Sequence, residues 1–276
     1  MALIPPFFMD CVVAIGAPDE KKEKVWIGTG FLVGKLNEDK EEGKRNYSPY
    51  LVTNKHVLQD LEKIVVRFNP QTDQASKDFI IDAVDDDKKE IWTGHPTKDF
   101  DVAVIRLNGE VLEKEGLKFG LFTDDKTFVT KEKMQDKEIT EGDFIYVLGF
   151  PMGLVNSERQ HVIVRNGCLA RIRDLYENRS NDFLVDAVVF PGNSGGPVII
   201  KPEAISISGT KANKEAGLIG IIKSYMPYQD MAISQQTKQP RIIFEENSGL
   251  SVVEPVDHII ETIEEDEKRK MLPNSN

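Results

Sequence analysis

Ser194 lies in the stretch VVFPGNSGGPVII (Val188–Ile200), among three glycines and two prolines and between two apolar, β-branched runs. A serine hydroxyl is a useful nucleophile only when a base takes its proton and donors stabilise the oxyanion that forms next. Gly192, two residues before Ser194, lets a turn aim the amides of both residues at one point. Gly195 and Gly196 then admit close backbone approach, because glycine has no Cβ and tolerates positive φ. The same run also suits a plain glycine-rich corner, so the base has to be sought elsewhere. Four histidines are available. His56 follows the apolar run of PYLVTNKHVLQD where the chain leaves a strand, His95 lies in a Gly-His-Pro turn, His161 opens a strand and His258 falls in a C-terminal helical pattern. A carboxylate to orient an imidazole is offered by KDFDVAVIRL, where Asp99 and Asp101 both precede an apolar strand and Asp101 is the one next to it.

These residues need a scaffold, and the scaffold reads as β. Strand patterns occur at Cys11–Ile15, Trp26–Val33, Tyr50–Thr53, Ile64–Phe68, Ile91–Thr93 and Val102–Leu107, then at Phe144–Leu148, Val162–Leu169, Phe183–Val188, Pro197–Ile200, Gly217–Ile222 and Gly249–Val253. Short Val/Ile/Phe-rich runs with no regular helices between them predict an antiparallel sandwich or barrels. The polar segment Phe122–Gly142 divides the strands into two similar sets and reads as an interdomain connection. The charged run Leu36–Pro49 reads as a solvated hairpin loop, and EAISISGTKANKEAG (203–217) as another loop. A helix is expected at PVDHIIETIEEDEKRK, which starts with Pro255 and spaces Val256, Ile259, Ile260 and Ile263 along one face.

Four motifs occur in order: GTGFLV (Gly28–Val33), LVTNKHV (Leu51–Val57), DFDVAVIRL (Asp99–Leu107) and GNSGGPV (Gly192–Val198). Together they resemble the chymotrypsin-like serine protease superfamily, in particular its bacterial trypsin-like and HtrA-type branch. YVLGFPMG (Tyr146–Gly153), GLIGII (Gly217–Ile222) and the tail GLSVVEPVDHIIETI fit the same pattern, so the likeness runs from about Val12 to Ile263. It implies an all-β fold of two six-stranded antiparallel β-barrels with a C-terminal α-helix. Residues 1–122 would form a first barrel carrying His56 and Asp101, 123–142 the connection, 143–254 a second barrel carrying Ser194, and 255–276 the helix and a polar tail. The implied activity is a serine endopeptidase acting on protein or peptide substrates. His56 would be the general base and Asp101 its orienting partner, while the backbone N–H groups of Gly192 and Ser194 would form the oxyanion hole. The chain order His, Asp, Ser agrees with this superfamily.

Two departures from the family pattern shape the expectations. Asn193 stands where digestive relatives carry an aspartate that pairs with a new N-terminus, so activation by trimming is not expected and loop ordering is. Val188, six residues before Ser194, puts no carboxylate at the base of the primary specificity pocket. Aligned through GLIGIIKSYM, Tyr225 falls at a pocket-wall position usually held by glycine. The pair therefore predicts small aliphatic residues, rather than Lys or Arg, at the cleavage position. A competing expectation is a latent or inactive protease fold that serves as a binding module until an activating partner protein opens it.

Composition trims the remaining classes. A net charge of −11 argues against nonspecific nucleic-acid binding, which draws on a basic surface. The histidines show no HExxH or paired-ligand spacing, so neither a metal nor any other cofactor is expected. Two isolated cysteines exclude a disulfide framework. No stretch approaches the ~20 apolar residues of a membrane span, and the opening lacks a basic leader pattern, so the expected compartment is the cytoplasm with no membrane partner. No PDZ-like extension is seen after the protease-like region, which suggests a stand-alone module or one part of an assembly.

Overall fold

The computed structural model describes residues 4–18, 24–37, 45–203 and 208–271. Parts of both expected loops, 38–44 and 204–207, lie outside the described residues.

Among the described residues nine strands build the N-terminal sheet: β1 (Val12–Pro18), β2 (Lys24–Leu36), β3 (Tyr47–Thr53), β4 (Lys63–Pro70), β5 (Lys77–Asp82), β6 (Thr93–Gly94), β7 (Ala103–Arg106), β8 (Leu117–Lys118) and β9 (Phe122–Thr123). Their order is β5-β4-β1-β2-β3-β7-β6, with β8 on β4 and β9 on β2. Runs such as Tyr50–Thr53 are buried throughout, as expected where β-branched and aromatic residues pack on both faces. The C-terminal sheet contains β10 (Phe144–Gly149), β11 (Ile163–Arg171), β12 (Phe183–Asp186), β13 (Pro197–Ile200), β14 (Gly217–Ile233) and β15 (Pro240–Pro255), closed in the order β10-β11-β12-β15-β14-β13.

The expectation of two closed six-stranded antiparallel barrels therefore needs correcting, because among the described residues only the C-terminal sheet closes. In the N-terminal half the acidic stretch after β5, DAVDDDKKEIWTG, supports only an isolated Val84–Glu90 bridge and the two-residue β6, leaving β5 and β6 as unjoined edges. Nor is that sheet wholly antiparallel, since β9 pairs with β2 in parallel. Strand β5, KDFIID, escapes the sequence pattern because no residue in it is fully buried.

β14 and β15 run well past their apolar ends as a two-stranded ribbon, paired from Pro227–Asn247 out to Ile233–Pro240. Met226, Tyr228, Met231, Ile233, Ile242, Ile243 and Phe244 are all exposed on it. Exposure on both faces hides this ribbon from a strand reading based on burial.

The C-terminal helix Val256–Met271 follows β15 directly, yet it packs back on the N-terminal sheet. Asp266 on this helix is buried and accepts hydrogen bonds from Tyr50 Oη (3.2 Å) and Thr93 Oγ1 (2.9 Å). One apolar cluster joins the helix residues Val256, Ile259 and Ile263 to Phe31 and Val52 from one sheet and Leu148 and Ile199 from the other. Both cysteines are free.

Candidate active site

His56 is positioned by the end of β3. After the buried run to Thr53, Asn54 takes an extended conformation (φ −84°, ψ 152°) and starts the one-turn helix Lys55–Leu58. That helix turns Val57 and Leu58 into the core and leaves His56 facing solvent. The Asn54 side-chain amide also donates to the Asp101 carbonyl at 2.7 Å, which ties the helix start to the loop before β7.

Asp101 meets His56 with both carboxylate oxygens. Oδ1 accepts the His56 backbone N–H at 3.1 Å, and Oδ2 lies 2.5 Å from the ring Nδ1. An ionised carboxylate only accepts, so the proton of a neutral His56 belongs on Nδ1 and Nε2 is left as a base. Asp99 is exposed, and among the described residues its carbonyl, not its carboxylate, is engaged, by Lys223. Of the two candidate carboxylates, Asp101 is the one the fold brings to His56.

Ser194 sits on a loop whose carbonyls are tied back one after another. Phe190 O accepts from Asn193 N (2.9 Å), Pro191 O from Met152 N (2.6 Å), Gly192 O from Thr29 Oγ1 (2.6 Å) and Ser194 O from Thr29 N (2.9 Å). Among the described residues the N–H groups of Gly192 and Ser194 have no internal acceptor. Two amides two residues apart, with no acceptor of their own, are free to meet an anion. The loop requires glycine at two points. Gly192 has φ +97°, and a Cβ there would meet Phe150 O at 2.4 Å; Gly195 has φ +82°, and a Cβ there would meet Thr29 O at 2.1 Å. Within the loop, Asn193 is fully buried and its Nδ2 has no hydrogen-bond partner among the described residues.

His56, Asp101 and Ser194 line one cleft of about 340 Å³, with Lys223 and Tyr225 on its β14 side. Tyr225 donates its hydroxyl to Glu245 at 2.7 Å, and that bond pushes its ionisation up. Val188 does not line this cleft. It is 42% exposed, and Val189 stands on the cleft wall instead. Burial alternates after β12, with Ala187 and Val189 inside and Val188 outside, so counting six residues back from Ser194 lands on an outward position. The other histidines lie elsewhere: His161 is exposed and absent from this cleft, while His95 and His258 are buried and bonded to Glu261 and Glu254.

Sequence reasoning missed four residues that bond the loops of this site: Thr29, Asn54, Lys223 and Glu254, the last accepting the Asp101 backbone N–H at 2.7 Å. Thr29 and Asn54 lie within quoted motifs, but nothing local reveals what their side chains bond. Glu254 had one available signal, an acidic residue inside the apolar run SVVEPV.

A family model described as the Trypsin-like peptidase domain matches residues 28–202, a span that contains His56, Asp101 and Ser194. The chain belongs to this family. Lys223, Tyr225 and Glu254 lie beyond the matched span. Among curated proteins, the chain is 22% identical over 205 residues to a probable periplasmic serine endoprotease DegP-like of Pseudomonas putida, covering 74% of this chain and 33% of that protein. It is 21% identical over 220 residues to the protein of the same description from Ectopseudomonas mendocina (79% and 36% covered). With the one from Chlamydia trachomatis it is 28% identical over 196 residues (70% and 30% covered). The chain thus spans about a third of the length of these relatives. Their names place them in the periplasm, whereas the opening residues led to an expectation of the cytoplasm. Among the described residues no helix is long and apolar enough to cross a membrane.

Proposed function

We propose that this peptidase domain is a serine endopeptidase working through Ser194, His56 and Asp101. The observation that carries the reading is the His56 Nδ1–Asp101 Oδ2 contact of 2.5 Å in a cleft that Ser194 also lines. His56 Nε2 takes the Ser194 hydroxyl proton as Oγ attacks the scissile carbonyl carbon. The oxyanion of the tetrahedral intermediate is held by the N–H groups of Gly192 and Ser194, each such donor contributing roughly 10²–10³ in rate. The imidazolium passes its proton to the amide nitrogen, the C–N bond breaks, and the acyl group remains as an ester on Ser194. Water, deprotonated by His56, then hydrolyses the ester.

Tyr225 on the cleft wall, with its ring tethered to Glu245, supports the preference for small aliphatic residues at the cleavage position. Protein or peptide chains are the substrates of this reading.

A second reading, a latent module opened by a partner protein, draws on one feature. The Nδ2 of buried Asn193, next to Ser194 in the chain, has no partner among the described residues and would gain from a rearrangement that supplies an acceptor.

Labelling by a fluorophosphonate probe tests both. The native chain is expected to label, and Ser194→Ala and His56→Ala are expected not to. Folded native protein that stays unlabelled would transfer the case to the latent reading.

A further inference from the structure

Bonded to the Asp101 backbone lies a carboxylate that the proposed mechanism does not use. Glu254, the penultimate residue of β15, is 1% exposed. Its Oε1 accepts the Asp101 backbone N–H at 2.7 Å and contacts the Lys223 ammonium at 2.9 Å, while Oε2 lies 3.0 Å from His258 Nδ1. Burial pushes the Glu254 carboxyl up, but the bonds from His258, the Asp101 amide and Lys223 outweigh it and hold the group below the usual carboxylate range. A buried carboxylate adds little net stability compared with a well-packed apolar residue, because its desolvation is costly. Its place in the fold therefore calls for another reason.

That reason is visible in what surrounds it. Glu254 is the hinge between β15 and the C-terminal helix, and the helix clamps the loop that delivers Asp101. His258 stacks on Phe100 with ring centroids 3.9 Å apart and planes at 9°. His95, at the start of the same loop, bonds Glu261 through Nε2 at 2.7 Å and accepts from Thr97 N at 3.0 Å. Lys223 reaches from Glu254 to the Asp99 carbonyl at 2.9 Å, and Lys55 reaches the Thr97 carbonyl at 3.1 Å. Asp101 is thus gripped along its backbone from both ends, its carbonyl by Asn54 and its amide by Glu254.

We propose that Glu254 is a positioning residue for the peptidase reaction, holding the Asp101 backbone so that its carboxylate meets His56 in the productive orientation. The inference rests on the serine endopeptidase reading above. An orienting carboxylate is worth up to ~10⁴ in rate when its partner imidazole depends on it, so a displaced Asp101 lowers kcat without weakening substrate binding.

The experiment compares Lys223→Met/Glu254→Gln with Lys223→Met/Glu254→Leu on one peptide substrate, with Ser194→Ala alongside. Neither double variant strands a buried charge from the Lys223–Glu254 pair, and only Gln keeps an oxygen for the Asp101 amide. We expect the Leu variant to lose about tenfold or more in kcat relative to the Gln variant, with KM within about twofold, as for an interaction made chiefly in the transition state. We also expect the low-field ¹H NMR resonance of the His56–Asp101 hydrogen bond to persist with Gln and vanish with Leu. Equal kcat and an equal resonance in the two folded variants would overturn the inference while leaving the peptidase reading intact. Turnover surviving in Ser194→Ala would overturn the peptidase reading itself. Should the Leu variant not fold, hydrogen exchange in the native protein decides, because an Asp101 amide that exchanges as freely as exposed loop amides is incompatible with the Glu254 bond.

Discussion

The Thr29 hydroxyl donates to the Gly192 carbonyl at 2.6 Å across 163 residues of chain. The same oxygen accepts the Phe150 N–H at 3.0 Å, and the Thr29 amide bonds the Ser194 carbonyl at 2.9 Å. One side chain on β2 therefore sets where the serine loop of the C-terminal barrel lies over the N-terminal sheet. Among the described residues the N–H groups of Gly192 and Ser194 in that loop have no internal acceptor.

Thr29→Val keeps the shape and removes the hydroxyl. It leaves the buried Phe150 N–H without an acceptor and the Gly192 carbonyl without its side-chain donor, a loss of about 1–3 kcal/mol in stability. Fluorophosphonate labelling is expected to slow at least about tenfold, the loss expected when about 1.4 kcal/mol of transition-state stabilisation goes. Stopped-time labelling against a denaturation curve separates the two effects. An unchanged labelling rate would show that Thr29 does not set the loop.

Gly195→Ala and Gly116→Ala both put a side chain at positive φ, but only one of them meets backbone. At Gly195 the new Cβ would lie 2.1 Å from Thr29 O, while at Gly116 (φ +65°) nothing lies within 4 Å. Gly116→Ala is expected to cost about 1–2 kcal/mol from the left-handed conformation alone. Gly195→Ala is expected to cost clearly more and to abolish labelling. Urea unfolding of both variants checks the order, and equal costs would refute the crowding.

Tyr225→Gly opens the cleft wall. A peptide library is expected to show the cleavage-position preference moving from small aliphatic residues toward larger apolar ones, by roughly 1–3 kcal/mol per well-filled group. A profile unchanged by the substitution, or one dominated by Lys and Arg in the native enzyme, would sink the assignment of Tyr225 to specificity.

Acid stability reads out Glu141. Burial acts to raise its carboxyl, but the Ile172 amide and other hydrogen bonds, including those from Thr140 and the Arg173 amide, outweigh it and hold the group down at about 2, against an ordinary 4.5. Because the folded value is depressed, its contribution is complete above about pH 4.5 and is lost as pH falls toward 2. Native protein is expected to lose stability through that window more steeply than Glu141→Gln, measured by urea midpoints at several pH values. Parallel curves would remove Glu141 from the account of acid unfolding.

How much of this was legible in the chain depends on the range of the interaction. Strand-forming runs, the glycine-rich serine turn, the His56 turn after an apolar strand and the C-terminal helix are written in short stretches, because period, β-branching and glycine act over a few residues. The β14–β15 ribbon was not legible, because its cross-strand pairs expose their side chains on both faces and leave no burial pattern to read. The open N-terminal sheet was missed for a related reason: closure depends on how many residues pair at β6, which the acidic loop before it decides.

The sequence by itself determined that Ser194, His56 and a pair of carboxylates would stand at strand ends in a β-rich chain. Only the tertiary structure decided that Asp101 rather than Asp99 meets His56, that Val189 rather than Val188 faces the cleft, and that Thr29 and Glu254 hold the two loops in place. Each of those outcomes turns on which way a side chain points after a bend, or on partners 45 to 163 residues apart. Contacts at that range come into being only when the two sheets and the helix pack together.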